Sequence, residues 1–297
     1  MTFARHGRQL AADQVSQLTV VDIETGARTV VLESGANIEA PNWTPDGETL
    51  IFNAGGELWR IDHRGHQAPE KIDTGHLRDL NNDHVLSPDG KTLYVSSNDG
   101  HLYFLPVAGG APVRVSNIHD RPFHYYLHGI SPDGATLAYV AVEGEGEQRR
   151  INIFTIPSSG GPDRRLSDVT APNDGPEFSP DGKWIYFNSE RAAQRPGHAQ
   201  IFRMHPDGTG IQQLTFDERV NWFPHISPDG RHVVYISYPE GTLGHPPDRD
   251  VILRLMHPDG GAALDVAAFN GGQGTINVNS WAPDSRQLAF VSYPVRA

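Results

Sequence analysis

The sequence of 297 residues contains no cysteine and no long apolar segment. Without cysteine the chain has no disulfide framework, no zinc–thiolate site and no cysteine nucleophile. No apolar run approaches the roughly 20 residues that a membrane-spanning helix needs. Residues 1–13 are partly basic but lack the apolar core of a secretory signal, so we expect no membrane insertion and a cytoplasmic location.

Basic residues are fewer than acidic residues: the sequence has 24 Lys and Arg and 36 Asp and Glu. The resulting formal charge of −12 argues against nucleic acid and anionic membrane surfaces as partners. A basic protein partner or a cation is electrostatically easier to bind. The alternative is that the negative charge only keeps the protein soluble.

Several catalytic motifs are missing as well. The sequence has no Gly-x-Ser-x-Gly elbow, no Gly-rich phosphate loop ending in Gly-Lys-Ser/Thr, and no His-Glu-x-x-His. These absences exclude an α/β-hydrolase nucleophile, a P-loop nucleotide site and a metalloprotease site of the His-Glu-x-x-His type.

What the sequence does contain is one turn motif in six copies. Ser-Pro-Asp-Gly occurs four times, Thr-Pro-Asp-Gly once and Ala-Pro-Asp-Ser once, with the prolines at Pro45, Pro88, Pro132, Pro180, Pro228 and Pro283. The spacings of 43, 44, 48, 48 and 55 residues are typical of propeller blades with four strands each. Within the motif, proline and aspartate suit the second and third positions of a type I turn, and glycine tolerates a positive φ.

The segments around each turn predict four antiparallel strands per repeat. An apolar residue lies two places before every motif proline, and a β-rich run follows the motif, as at residues 92–97 and 287–292. The sixth repeat ends after two strands, and residues 17–22 and 29–32 supply a third and a fourth. The sequence therefore predicts an all-β, six-bladed β-propeller, a single domain over residues 1–297, in which residues 16–32 complete blade 6 with residues 276–292.

The repeats resemble those of the TolB family, whose blades carry a Ser-Pro-Asp-Gly turn and often end in Leu-Ser or Leu-Thr. Here those pairs are Leu166-Ser167 and Leu214-Thr215, and the resemblance covers nearly the whole chain. It implies a binding scaffold, with a periplasmic location as the alternative to the cytoplasm. Similar repeats also occur in prolyl peptidases and oligogalacturonate lyases, so the blade does not fix the chemistry.

The face opposite the turns is predicted to carry the function. Three long, charged loops at residues 143–150, 190–199 and 238–250 belong to consecutive blades and form a crescent on that rim. Five polar or aromatic residues share one position near the channel, six residues before the turn proline: Asn82, Tyr126, Asp174, Trp222 and Asn277. Aromatic rings beside amides suit a sugar or another small polar ligand, so these residues are predicted to form a ligand site at the channel mouth.

Three histidines are predicted near the same mouth. His84 and His128 come four residues before their turn prolines, and His225 and Glu177 come three residues before theirs. Together with Glu177 or Asp174, the histidines are ligands of the kind that a divalent metal accepts, and lyases with similar blades use such sites. The alternative is that these groups hydrogen-bond to the backbone and to channel water.

Two functions are compatible with these residues. The first is a scaffold that binds a protein or a small polar ligand through the loop-rich channel mouth, with no certain cofactor. The second is a carbohydrate lyase or hydrolase that uses His84, His128 and His225 with Glu177 or Asp174. Convergence of the imidazole nitrogens on a common point about 2.0–2.1 Å away would favour the second function.

Overall fold

The computed structural model describes residues 7–296, so residues 1–6 and residue 297 lie outside the described part. The prediction about a secretory signal concerns residues 1–13 and falls partly on those residues. The described chain forms 23 β-strands, numbered β1–β23, and one 3₁₀ turn at Gly146–Gln148. Between residues 7 and 296, no helix is long and apolar enough to cross a membrane.

Five blades are four-stranded antiparallel sheets whose strands follow one another in sequence order. Blade 1 contains β3 (Glu39–Trp43), β4 (Thr49–Ala54), β5 (Glu57–Asp62) and β6 (Glu70–Lys71). Blade 2 contains β7 (Leu80–Leu86), β8 (Thr92–Ser97), β9 (Leu102–Pro106) and β10 (Val113–Arg114). Blade 3 contains β11 (Phe123–Ile130), β12 (Thr136–Glu143), β13 (Arg150–Pro157) and β14 (Arg164–Arg165).

The next two blades repeat the same order. Blade 4 contains β15 (Asn173–Phe178), β16 (Ile185–Ser189), β17 (Gln200–Met204) and β18 (Gln212–Gln213). Blade 5 contains β19 (Val220–Ile226), β20 (Val233–Tyr238), β21 (Arg249–Met256) and β22 (Leu264–Gly271). In each of blades 1–5 the first strand lines the channel and the fourth lies at the rim.

Blade 6 closes the ring from both ends of the chain. β1 (Ser16–Asp22) lies between β2 (Arg28–Ser34) and β23 (Gln287–Ser292), as the sequence predicts. The innermost segment of this blade is joined to β23 by a single bridge from Trp281 to Leu288. Side chains of this segment also bond to other blades, as Ser280 Oγ does by donating to the Pro41 carbonyl at 2.7 Å. The six-bladed propeller and its closure by N-terminal strands are confirmed.

The turn motif is held by short-range hydrogen bonds. In blade 2 the Ser87 hydroxyl donates to Asp89 at 2.6 Å and accepts from the Thr92 amide at 2.9 Å. The Gly90 amide donates to the Ser87 carbonyl at 2.8 Å. The same serine–aspartate bond recurs in blades 3, 4 and 5. The repeated aspartates are therefore turn residues and do not form a carboxylate array.

Apolar side chains from neighbouring blades pack against one another around the ring. Between blades 5 and 6, for example, Trp222 and Val234 belong to the same buried cluster as Trp281 and Phe290. Interiors packed in this way are dense and resist deformation. The inner strands therefore hold their channel-facing side chains in fixed positions.

Candidate ligand site at the channel mouth

A cavity of about 640 Å³ opens at the channel mouth, on the face opposite the turns. Six of the eight residues predicted for the channel mouth, the five ligand-site residues and three histidines, line it: Asn82, Tyr126, His128, Asp174, Trp222 and Asn277. All three long loops of the predicted crescent also reach it, through Arg149, Glu190 and the segment 243–246. The structure thus brings together residues from blades 2 to 6.

β-bulges in the inner strands position several of these side chains. The strand register shifts immediately after Asp174 in β15, after Trp222 in β19 and after Glu39 in β3. The next residue in each case has a positive φ, which is 60° at Gly175, 51° at Phe223 and 52° at Ala40. A bulge bends its strand and re-aims the neighbouring side chain, and bulges are common next to functional sites. A buried phenylalanine with positive φ is an uncommon conformation that the surrounding packing must enforce.

His128 forms the floor of the cavity. Its Nε2 lies 3.0 Å from Asp174 Oδ1, and its Nδ1 lies 3.3 Å from the Asn277 carbonyl oxygen. Both ring nitrogens therefore face acceptors, which favours the doubly protonated imidazolium. Burial alone would lower the pKa of His128, but the carboxylates of Asp83 and Asp174 raise it above the usual value. The hydrogen bond from His128 in turn holds the pKa of Asp174 below its usual value despite burial.

Two buried polar atoms in the cavity wall have no hydrogen-bond partner among the described residues, namely Asp83 Oδ1 and Trp222 Nε1. Burial raises the pKa of Asp83 to about 7, and the charges of Asp174 and Glu39 add to the rise while His128 opposes it. Buried polar groups are normally paired, so an unpaired acceptor and an unpaired donor on residues that line a cavity indicate a place for a ligand or water.

The sequence did not single out Asp83, Glu39 or His245. Asp83 lies one place beyond the shared position, so the spacing does not mark it, whereas Glu39 occupies the shared position in blade 1 and the spacing does mark it. His245 comes from the long loop of blade 5, and its ring lies 4.5 Å from the ring of Trp222 and 5.0 Å from that of Phe223. No periodicity marks His245, because its place depends on how the loop folds back over the mouth.

His84 does not line this cavity. It is buried in blade 2, and neither ring nitrogen makes a hydrogen bond of normal geometry within residues 7–296. Burial lowers the pKa of His84 to about 4, and weak contacts with the backbone of Ile51 and Asn82 only partly offset this effect. The histidine is therefore neutral at physiological pH and points into packed protein.

His225 is also buried away from the mouth, where it pairs with Glu177. Its Nδ1 lies 2.6 Å from Glu177 Oε2, and its Nε2 lies 2.6 Å from the Ile276 carbonyl. The other oxygen of Glu177 accepts from the Ile226 amide and from Asn279 Nδ2. This network ties blades 4, 5 and 6 together and leaves His225 no free nitrogen for a ligand.

The three predicted metal-ligating histidines therefore do not come together. His128 lies at the mouth, His84 in the packed interior of blade 2, and His225 beside Glu177. Within the described range 7–296, no group of three or more His, Cys, Asp or Glu side chains is arranged to hold a metal ion. Equal spacing from the turns did not produce equal side-chain directions.

A second cavity of about 360 Å³ opens on the turn face. It is lined by five of the motif prolines and by inner-strand side chains that include Trp43 and Trp281. His128 borders both cavities, so its ring separates the mouth from the turn side of the channel.

The fold and the mouth cavity define a closed six-bladed propeller with a polar, aromatic-walled channel mouth. Residues 129–246 match the family model for the TolB β-propeller domain. The uncharacterized protein Atu1656 of Agrobacterium fabrum is 38% identical over 282 residues, which are 94% of this chain and 92% of that protein. The solved structure of a TolB-like protein of Agrobacterium tumefaciens, also 38% identical, has a TM-score of 0.86 and covers 95% of this chain and 99% of that one. The chain belongs to the TolB-like β-propeller family.

Two more distant relatives set limits on what the family implies. The Tol-Pal system protein TolB of Francisella tularensis is 25% identical over 295 residues, but the match spans 95% of this chain and only 61% of that protein. An oligogalacturonate lyase in complex with manganese is 16% identical with a TM-score of 0.58, covering 89% of this chain and 75% of that one. At that identity the likeness to the lyase shows the fold alone.

Proposed function

We propose that this protein is a binding scaffold that receives a partner or ligand at the channel mouth. The observation that carries the proposal is the preformed cavity with two unpaired buried polar atoms, Asp83 Oδ1 and Trp222 Nε1. Because closed sheets hold these groups in place, little ordering entropy is lost when a ligand binds. The TolB-like fold supports the same reading.

Exposed apolar side chains on the same face favour a protein partner. Leu243 lines the cavity and is 67% exposed. Ile118 is 73% exposed and Phe216 77%, and they lie on the loops that join β10 to β11 and β18 to β19, on the same face. Single exposed apolar residues are ordinary, but three on one face provide the apolar anchors that protein interfaces use. The relative named a Tol-Pal system protein makes a component of such a system one candidate partner.

The lyase or hydrolase alternative requires His84, His128 and His225 at one site, and these three residues lie apart. His225 and Glu177 are fully hydrogen-bonded to each other and to the backbone, and His84 lies outside the cavity. His128 and Asp174 do lie at the mouth, but they are hydrogen-bonded to each other, and the other ring nitrogen of His128 faces the Asn277 carbonyl. The binding scaffold is therefore the better-supported function. Location stays a prediction, with the cytoplasm indicated by the sequence and the periplasm by the family.

Site-specific photo-crosslinking in the native cell tests the proposal. A photoreactive residue is placed at Ile118, Phe216 or Leu243 on the mouth face, and at exposed Lys91, Lys183 or Arg231 beside the turns as matched controls. We expect a discrete crosslinked protein from the mouth positions and none from the turn positions. Equal crosslinking from both faces, or crosslinking from the turns alone, would show that the mouth is not the interface.

A further inference from the structure

We propose that the mouth cavity receives a positively charged primary ammonium group, held by Asp83 and Asp174 and flanked by Trp222 and Tyr126. This inference rests on the proposed function, because it names the chemistry that the same site recognises. The ammonium group belongs either to a small free amine or to a lysine side chain of a protein partner.

The open carboxylate oxygen of Asp83 is the first reason. The residue is 4% exposed, and its Oδ2 accepts from Asn81 Nδ2 at 3.1 Å while Oδ1 has no donor in the described chain. A buried carboxylate with an open acceptor is costly unless a donor reaches it. A charged donor forms the stronger, charge-assisted bond and also neutralises the carboxylate.

The charge balance of the cavity floor is the second reason. Two carboxylates that line the cavity, Asp83 and Asp174, and a third, Glu39, contribute negative charge, and both Asp174 and Glu39 act on Asp83. Arg8 offsets part of the charge of Glu39, and His128 is the cation that faces Asp83 and Asp174. Burial lowers the pKa of His245 despite the nearby Asp174, so that ring stays neutral and adds no positive charge. When all three carboxylates are ionised, the two cations Arg8 and His128 leave one negative charge in excess, which a bound cation would balance.

The donor geometry of an ammonium group fits the open acceptors. A primary ammonium carries three N–H donors and no acceptor. Asp83 Oδ1 is buried without a donor among residues 7–296, and His245 Nε2 lies 3.9 Å from Asp174 Oδ2. An anionic ligand would instead meet both carboxylates at close range. Arg149 also lines the cavity, where its exposed guanidinium acts on Tyr126 against the charges of Asp83 and Asp174.

The aromatic walls are the third reason. Trp222 and Tyr126 both line the cavity, and the ring of Trp222 is fixed against His245. The face of an aromatic ring attracts a cation within about 6 Å, most strongly for tryptophan and more strongly when water is excluded. Together, the carboxylate of Asp83 and the rings of Trp222 and Tyr126 favour an ammonium group over a neutral group of the same shape.

The test compares three probes of matched shape on the purified full-length chain by NMR titration: n-butylammonium, n-butanol and butyrate. We expect n-butylammonium to bind with a Kd at least tenfold lower than that of n-butanol, and butyrate to bind more weakly still. Asp83→Asn should raise the Kd for n-butylammonium at least tenfold. The matched control Asp181→Asn, on the turn face, should leave the Kd within twofold of wild type. Melting temperatures of the variants verify folding, and the ranking of the probes on wild-type protein does not depend on any variant.

A second pair of titrations separates the two sources of the ammonium group. Tighter binding of Nα-acetyl-lysine methylamide than of n-butylammonium indicates a lysine of a protein partner, and equal binding indicates a small free amine. Equal affinity for n-butanol and n-butylammonium, tighter binding of butyrate, or no effect of Asp83→Asn would overturn the inference. If the mouth face crosslinks to a protein but shows no preference for ammonium, the ammonium proposal is wrong and the proposed scaffold function is unaffected.

Discussion

Individual buried polar residues around the channel fall into three states, and each state has a different consequence. His225 and Glu177 are paired, and removing one partner of such a buried pair typically costs about 3–5 kcal/mol because the other charge is left unpaired. Asp83 is half-paired, because its Oδ2 accepts from Asn81 while its buried Oδ1 has no donor among the described residues. His84 is unpaired and kept neutral by its surroundings, so it contributes no electrostatic stabilisation.

His84 should make the protein less stable in acid. Its pKa is about 4 in the folded protein and near 6.5 when unfolded, so the unfolded chain binds the extra proton more readily. Stability should therefore be complete above about pH 6.5 and fall as the pH drops toward 4, by on the order of 3 kcal/mol from this residue. His84→Leu should keep or raise the free energy of unfolding at pH 7.5 and flatten the loss in acid, as measured by urea denaturation at several pH values.

The control for this experiment is His66→Leu, since His66 is exposed. That variant should retain the wild-type slope of stability against pH. A His84→Leu protein with the wild-type slope would contradict the assignment of a buried, neutral histidine.

At the scale of elements, the turns interact with one another as well as within themselves. A methyl group added at Gly90 would lie 3.2 Å from Pro45, and one at Gly182 would lie 3.3 Å from Pro132. Each of these glycines therefore packs on the turn proline of the preceding blade. The contact is missing at Gly230, where a methyl group would meet nothing within 4 Å. The ring of turn contacts is open between blades 4 and 5.

This difference predicts unequal effects of the same substitution. Gly90 and Gly230 have φ values of 68° and 71°, so alanine at either position should cost roughly 1–2 kcal/mol of backbone strain. Gly90→Ala should lose about 1 kcal/mol more, because its methyl group crowds Pro45. Chemical denaturation of the two variants measures the difference. Equal losses would mean that the turn-to-turn contact contributes nothing to stability.

For the whole molecule, closure by the N-terminal strands removes the two exposed sheet edges that an open ring would carry. β1 is paired on both sides. On one side it pairs with β23, from Gln17 opposite Ser292 to Asp22 opposite Gln287. On the other side it pairs with β2, beginning with Ser16 opposite Ser34. Unpaired edges are templates for aggregation, and a ring that is not closed lets its inner strands move. The mouth cavity depends on that closure, because Asn277 of blade 6 contacts His128 of blade 3 across the channel.

Deletion of residues 13–32 should therefore disrupt the entire propeller. We expect insoluble protein or a fall in melting temperature of more than 10 °C, since the central strand of blade 6 and the buried side chains of Leu18, Val20 and Val31 are lost. Differential scanning calorimetry and size-exclusion chromatography provide the measurement. A truncated protein that melts like wild type would refute the closure scheme.

The amino-acid sequence by itself determined the fold. The Ser-Pro-Asp-Gly turn is made by residues adjacent in the chain, and its hydrogen bonds between Ser87, Asp89 and Thr92 need no help from elsewhere. Counting these turns gave six blades, and the strands at Thr92–Ser97 and Gln287–Ser292 agree with the predicted bounds. The shared position six residues before each turn also identified Tyr126, Trp222 and Asn277 as cavity residues.

Only the tertiary structure decided which way the polar side chains point. His84 and His128 hold the same position relative to their turns, but the register shift in β7 ends before His84, which pairs regularly with Val95, whereas the shift in β11 falls at His128 itself. His128 therefore projects into the channel, and His84 packs inside blade 2. His245 reaches the mouth through a loop held against Trp222 and Gln273. Bulges and loop contacts depend on residues far apart in the chain, so no local pattern encodes them.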